Sequence, residues 1–412
     1  MYCTTVAAVL LLNVLQGLWA SPLQEIQTNL NTGNLQDLQG DINIRSIRST
    51  TSCVNWPKCK NGAVIVPFIL SSDYDAKNQA VTIMALQEIT TMSCVTFVQR
   101  TTETDYLNFE KGSSCWSYIG KVGGGQTIAL NNFCMRQGQI QQLVLYALGF
   151  IAEVNRKDRD NYVKILYENI EPAQRPTFEK KDVSVLLDLP YDYSSVMHWP
   201  GYLYSSNGKP TIVPILDPKV VIGQIDGVST LDIVKVNKMY QCDLCRKLST
   251  SYNGTVSSEN YPSPYPNNAS CLYMIRTPGR RIYLSFEAFS LQNTIDCTSD
   301  YLRVYDGSSK CSPVLLNKTC GTTLPLPILS SGNTMLLEFV SDPEVSGTGF
   351  KASYTTVTCG GVYTSSTGIV TSPDYPKYYR KNMECIYRII APEGYKVEHV
   401  YHSQLNRSYA AS

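Results

Sequence analysis

The sequence of 412 residues predicts an α+β domain over its first 240 residues, followed by all-β sandwich units. Three observations carry this. Cys245 and Cys271 stand 26 apart, as do Cys359 and Cys385, while Gly254 and Gly368, and Tyr261-Pro262 and Tyr375-Pro376, share one offset of 114. Landmarks at a single offset define a tandem repeat. Within the first copy, the short runs RIYLSF, DYLRVY and TMLLEFV are separated by Gly, Pro, Ser and Asn turns, the patterning of an antiparallel sandwich. Upstream of the repeat the periods are mixed: VIVPFIL alternates like a strand, and KNQAVTIMALQEITT has helical spacing with Val81, Met84, Ala85 and Ile89 on one face.

The opening run MYCTTVAAVLLLNVLQGLWA has signal-peptide length and ends on the small residue Ala20. It is too short for a membrane span, and no later segment offers the ~20 apolar residues a span requires. The expectation is a secreted, extracellular chain with no membrane span. Fourteen cysteines agree with an oxidising compartment; Cys3 leaves with the signal, and the thirteen that remain cannot all pair within one chain. Four N-x-[ST] sequons, at Asn253, Asn268, Asn317 and Asn406, lie in the last 160 residues and predict a glycoprotein. Lys plus Arg (35) against Asp plus Glu (34) leaves +1, so no basic field exists to attract nucleic acid. Histidine is restrictive: only His198, His399 and His402 occur, which excludes any histidine cluster before residue 198.

After the first strand and helix, the edge-like segment DYLNFEKGSSCWSYIG is followed by a helix near 138–150 and a long loop-rich half. Cys115 and Cys134 bracket GGGQTIAL, a turn and a strand. The CDLC at 242–245 straddles a domain boundary, so its cysteines are read as one for each domain rather than as a redox or zinc pair.

The residues GTVSSENYPSPYPNNASC, CTSDYLRVYDG and FVSDPEVSGTGF closely resemble a CUB domain, and CGGVYTSSTGIVTSPDYPKYY opens a second. Upstream, GSSCWSYIGKVGGGQTIAL, ALGF, EVNRKDRDNYVKI, YDYSSVMHW and IGQIDGVSTLDIVKVNKMYQC resemble the astacin family of zinc metalloendopeptidases over roughly residues 53–242. The Cys53/Cys59 spacing followed by CUB domains is most similar to the hatching-enzyme branch. The resemblance implies an α+β metzincin (astacin-like) domain followed by all-β CUB sandwich domains. Its layout is a signal peptide at 1–20, a pro-region at 21–48, the peptidase-like domain at 49–243, a first CUB domain at 245–356 and a truncated second at 359–412. LQGDI resembles the family's aspartate switch, which places Asp41 as the inhibitory ligand in a zymogen-like pro-region, with Arg45 and Arg48 as basic sites for activation cleavage.

A metzincin uses two histidines one helical turn apart, a third beyond a glycine turn, and a glutamate base beside the first. Aligned on ALGF and DRD, the three ligand positions are occupied by Gln142, Tyr146 and Ala152, the base position by Leu143, and the transition-state tyrosine position by Trp199. An amide is a poor zinc ligand, leucine moves no proton, a phenol with a pKa near ~10 is no ready anion at neutral pH, and alanine offers nothing. The resemblance therefore implies a zinc enzyme whose zinc is expected to be absent, and none of the catalytic residues is retained. His198, in SVMHW, is read as structural. The architectural residues remain: Gly149 for the turn, Met197 for the Met-turn, and Glu153 at the position that holds the mature N-terminus. Leu143, Val144, Leu145 and Leu148 can substitute apolar packing for the metal.

In the first CUB domain the calcium positions fall on Asp300, Asp342 and Gln292, the last replacing a glutamate and lowering the expected affinity for Ca²⁺. The bridges implied are Cys53–Cys59, Cys94–Cys242, Cys115–Cys134, Cys245–Cys271, Cys297–Cys320 and Cys359–Cys385. Cys311 is then left over and open to an intermolecular disulfide. The reading is a pseudoenzyme that binds extracellular proteins or glycoproteins, of the egg-envelope type or an active relative, through the first CUB domain and the vestigial cleft. An active zinc metalloendopeptidase with unrecognised ligands is the alternative, and a decaying gene product the third reading.

Overall fold

The computed structural model describes the backbone of residues 42–45, then residues 55–181, 189–363 and, with short breaks, 365–398. The expected signal sequence, Asp41, Arg48, Cys53, Asn406, His399 and His402 lie outside the described residues.

The N-terminal domain is built on a sheet of six strands, β1 (Ile42–Arg45), β2 (Val64–Leu70), β3 (Val95–Gln99), β4 (Tyr106–Lys111), β5 (Cys115–Tyr118) and β6 (Gly125–Leu130), in the order β1-β5-β6-β4-β2-β3. Only β5 and β6 run antiparallel; the other neighbours are parallel. The DYLNFEK strand, expected at an edge, is interior: β4 hydrogen-bonds to β2 on one side and β6 on the other. Helix α1 (Ala76–Met92) crosses from β2 to β3 and starts where the Asp75 carboxylate accepts the Asn78 N–H at 2.7 Å. Its buried face is Thr82, Ala85, Leu86, Glu88, Ile89 and Met92. Met84, expected on that face, is instead 51 % exposed. The 82-85-86-89 set meets the core, which turns residue 84 outward.

Helix α2 (Gln137–Ala147) lies against this layer with every residue from Gly138 to Ala147 buried. It is shorter than the expected 138–150 because Leu148 ends it, in front of Gly149 at φ +98°. The following half is mostly turns around a strand pair, β7 (Val163–Ile165) and β8 (Ile212–Pro214). It has a separate apolar cluster that includes Ala152, Phe178, Tyr191 and Trp199. Helix α3 (Thr230–Met239) closes the domain, its first turn held by the reciprocal Ser229–Asp232 capping box.

The next unit is a two-sheet sandwich. Strands β10 (Asn253–Ser257), β12 (Arg281–Ser290), β15 (Ile328–Leu329) and β17 (Gly349–Val357) form one sheet in the order β10-β17-β12-β15. Strands β9 (Cys245–Ser249), β11 (Ser270–Arg276), β13 (Tyr301–Tyr305), β14 (Val314–Thr319) and β16 (Thr334–Val340) form the other, in the order β14-β13-β16-β11-β9. Alternation divides β11: Tyr273 and Ile275 fill the sandwich core, whereas Leu272 and Met274 turn outward and join the core of the N-terminal domain. Leu248, Tyr305 and Leu336 do the same. A final pair, β18 (Cys359–Tyr363) and β19 (Cys385–Ile389), repeats the parallel β9–β11 arrangement with its own disulfide.

A buried ion pair crosses the interface between the first two units. Arg276 donates to Glu88 on α1 at 2.6 Å, with both side chains shielded from water. The same guanidinium reaches the Val228 carbonyl, and Glu88 also accepts from Gln137 and Gln141 of α2. Removing one partner from such a pair leaves an uncompensated buried charge, whereas removing both is far milder. Arg276→Ala should therefore cost about 3–5 kcal/mol in denaturant melts, and Arg276→Met with Glu88→Leu should recover most of it. A single-variant loss below about 1 kcal/mol would mean that water reaches the pair.

Candidate functional site

The ligand positions sit where α2, the Gly149 turn and the Met-turn converge. Gln142 and Tyr146 are at i and i+4 on α2 and share a face. Gly149 adopts a backbone conformation that L side chains avoid, and a Cβ there would stand 3.2 Å from Asn55 Oδ1. The turn sends the chain back through Phe150 to Ala152, which is fully buried. The Met-turn comes alongside through a backbone bond from Glu153 N–H to the Met197 carbonyl at 3.1 Å.

Apolar rings and one hydrogen bond fill this point. Trp199 Nε1–H donates to Tyr146 Oη at 3.2 Å, and neither side chain is open to water. Trp199 packs edge-on against Phe178 with centroids 5.2 Å apart, in the cluster that also contains Ala152. Burial pushes the Tyr146 phenol well above its ordinary range, so the group is neutral. Leu143 at the base position is fully buried in the main core.

His198 is the one imidazole among the described residues, and it is committed. Its Nδ1 lies 2.8 Å from the Trp199 carbonyl and its Nε2 lies 2.8 Å from Tyr191 Oη. A carbonyl only accepts, so Nδ1 carries the proton and Nε2 accepts from the tyrosine. Burial lowers its pKa to about 4, partly opposed by the bond to Trp199.

Below the Met-turn lies a network that the sequence did not expose. Glu153 is engaged by Lys235, by Arg156 at 3.4 Å and by the Asp192 N–H at 3.2 Å. Burial raises the pKa of Glu153, while Lys235 and Arg156 work against that shift. Asp232 accepts from Ser195 Oγ at 2.5 Å and from the Val196 N–H at 2.9 Å, and so carries the Met-turn on the first turn of α3. Glu153, Arg156, Asp232 and Lys235 line a small cavity beside Met197. No short-range spacing joins Glu153 to Lys235, and only the fold brings them together.

Along the cleft rim, β1 adds to β5 in parallel, with Ile42 opposite Cys115 and Arg45 opposite Tyr118. The chain's own segment thus occupies that edge.

In the sandwich, Asp300 is fully buried; its carboxylate accepts from Tyr265 Oη at 2.5 Å and from the Asp342 N–H at 2.7 Å. Tyr265 Oη in turn accepts from the Gln292 N–H at 3.0 Å, and Gln292 Oε1 is buried without a hydrogen-bond partner among the described residues. The three expected calcium positions are therefore brought to one loop end.

The structure contains the bridges Cys94–Cys242, Cys115–Cys134, Cys245–Cys271, Cys297–Cys320 and Cys359–Cys385. Two expectations are corrected. Cys59 is free and exposed, so it is not bridged to Cys53. Cys311 is not left over: it is disulfide-bonded. Close spacing along the chain carries no geometric guarantee of pairing. Asn253, Asn268 and Asn317 are all exposed.

The astacin peptidase-family model matches residues 52–241, and the CUB domain model matches 245–354 and 359–407. The embryonic protein UVS.2 of Xenopus laevis is 48 % identical over 367 residues, covering 88 % of this chain and 71 % of that protein. An astacin-like metalloendopeptidase of Gallus gallus is 46 % identical over 331 residues, covering 79 % and 81 %. Among solved structures, the high choriolytic enzyme 1 of Oryzias latipes, a hatching-enzyme zinc protease, shares 40 % identity over 46 % of this chain and 94 % of that one, at a TM-score of 0.44. The chain belongs to the astacin family and carries CUB domains. That family is zinc-dependent. The donors here do not fit the metal: an amide, a buried neutral phenol already accepting from Trp199, and a methyl group.

The depressed His198 pKa has a definite pH consequence. The unfolded state binds the proton more tightly, so stability falls as pH drops from about 6.5 towards 4. Over that window the contribution is about 3 kcal/mol, and the raised pKa of Glu153 acts in the opposite sense. His198→Gln, which keeps a donor and an acceptor, should flatten the pH dependence relative to the parent in paired denaturant melts. Identical slopes for the two proteins would show that His198 titrates normally.

Proposed function

We propose that this chain is a secreted, non-catalytic member of the astacin family that binds extracellular proteins or glycoproteins. Its peptidase-type domain serves as a binding scaffold rather than as a zinc site. The observation that carries the reading is the Tyr146–Trp199 hydrogen bond, which occupies the place where ligand and transition-state side chains would meet. With Leu143 in the core, no side chain at the base position can move a proton. The layout proposed is a removed signal at 1–20, a pro-region at 21–48, the scaffold domain at 49–243, the first CUB domain at 245–356 and a second from 359 onward.

The rim at β5 suits an extended polypeptide, because strand addition uses backbone groups and needs no metal. The parallel seat of β1 on β5 supports an edge that accepts a strand. Cleavage at Arg45 or Arg48 would free the edge for a partner, egg-envelope glycoproteins and active relatives being the classes that the resemblance to the hatching-enzyme branch implies. Purified processed protein should co-sediment with such a glycoprotein coat and leave it intact. Chelator-sensitive fragments of the coat would instead favour the active metalloendopeptidase, the reading that the names of the relatives support.

Restoring the ligands tests whether the scaffold keeps its geometry. Gln142→His, Leu143→Glu, Tyr146→His and Ala152→His together remove the Trp199 acceptor and place imidazoles in an apolar pocket, costing about 1–3 kcal/mol per unsatisfied group. Zinc should then raise the melting temperature of this variant and leave the parent unchanged. A folded variant indifferent to zinc would show that positions 142, 146 and 152 no longer converge.

Calcium is proposed at Asp300, Asp342 and Gln292, supported by the unpartnered Gln292 Oε1. Millimolar Ca²⁺ should raise the melting temperature, and Gln292→Glu should tighten binding by adding charge to the set. Calorimetry showing no heat for either protein would remove the site.

A further inference from the structure

The first sandwich has four edge strands, and three of them carry a built-in defence against pairing with another chain. Strand β15 ends one sheet and is only two residues long. Strand β9 ends the other sheet and is shielded by the N-terminal domain. The Thr230 hydroxyl donates to the Leu248 carbonyl at 2.9 Å, and the Leu248 side chain lies in that domain's core. Strand β14 breaks register twice against β13 and carries Lys318, whose ammonium stands 4.1 Å from the centre of the Tyr301 ring. Short length, cover, bulges and charge are the usual means of blunting an edge. Strand β10 has none of them. Its sequence NGTVS holds neither charge nor proline, and its register against β17 runs unbroken from Asn253 opposite Thr355 to Ser257 opposite Lys351. Every residue from 245 to 357 is described, so the edge is that of the full two-sheet sandwich.

The backbone of β10 is open on that side as well. The Tyr252 carbonyl accepts from the Thr356 N–H at 2.8 Å, and the Ser258 N–H donates to the Phe350 carbonyl at 3.0 Å. Even-numbered residues therefore turn their N–H and C=O groups toward β17, and alternation directs those of Asn253, Thr255 and Ser257 outward. Asn253 and Thr255 are exposed, and Tyr252 beside them is 64 % exposed. The first outward position is the acceptor of the sequon Asn253-Gly254-Thr255. We infer that an N-linked glycan on Asn253 guards this edge, and that without it β10 pairs with β10 of a second copy. Such a glycan is bulky and solvated, and its stem rises from the residue whose N–H and C=O an incoming strand must bond. The other described sequons differ. Asn317 lies on β14, an edge already broken, and Asn268 lies outside the strands with its N–H held by the Asp342 carbonyl at 2.8 Å. The inference rests on the secreted reading, because glycosylation requires the secretory route.

Peptide mass spectrometry of the full chain expressed in animal cells reads occupancy first. Carbohydrate at Asn268 or Asn317 with Asn253 bare would overturn the inference alone. A chain retained in the cells and bare at all three would overturn the secreted reading along with it. Sedimentation velocity from micromolar to hundred-micromolar concentrations then compares variants. Asn253→Gln and Thr255→Ala each erase the sequon and should self-associate at least tenfold more tightly than the parent. Asn253→Lys erases it too, but it sets a charge on the edge and should sediment as the parent does. Ser270→Ala removes only the Asn268 sequon and should change nothing. An unchanged main melting transition in each variant separates an uncovered edge from lost folding. Asn253→Gln and Thr255→Ala sedimenting as the parent would overturn the inference, as would Asn253→Lys associating as strongly as Asn253→Gln.

Discussion

The hydrogen bond from Trp199 Nε1–H to Tyr146 Oη joins the two apolar clusters of the N-terminal domain. Tyr146 belongs to the cluster shared by α1, α2 and the sheet, and Trp199 to the smaller cluster of the turn-rich half. In a metal-built version of this fold, a cation and its ligands span that gap. Here the span is made by two aromatic side chains, with Phe178 packed edge-on behind Trp199. A neutral pair suits the place. A phenolate would have to give up its hydration with no cation beside it, and burial holds the Tyr146 proton on.

Around that contact the polar groups are almost all engaged. Asp232 holds the Met-turn, Lys235 and Arg156 hold Glu153, and Tyr191 with the Trp199 carbonyl holds His198. The Glu153 carboxylate is satisfied by Lys235, Arg156 and the Asp192 N–H. The buried Arg276–Glu88 pair extends the same logic outward: it ties the sandwich to α1 and, through Gln141, to the helix that carries the site.

Much of this was legible in the sequence, for physical reasons. The 114-residue offset is a distance along the chain, and repeated distances survive any uncertainty about packing; it located both β9–β11 and β18–β19. The helix around Gln142 and its stop at Gly149 were readable because spacing and a glycine turn are local properties. What escaped depends on tertiary approach. The exposure of Met84 was decided by which flank of α1 met the core, and the interior position of β4 by neighbours far off in sequence. The Lys235–Glu153 pair spans 82 residues. Cysteine pairing failed where it relied on short spacing, at Cys59, and where it relied on elimination, at Cys311.

The central claim is that aromatic packing has taken the place of the metal. It is tested most directly by native mass spectrometry of the purified chain after dialysis against a zinc buffer at neutral pH. The account predicts a mass without bound zinc and a thermal transition unmoved by the metal. One equivalent of zinc per chain, removed by chelation with a fall in melting temperature, would contradict it.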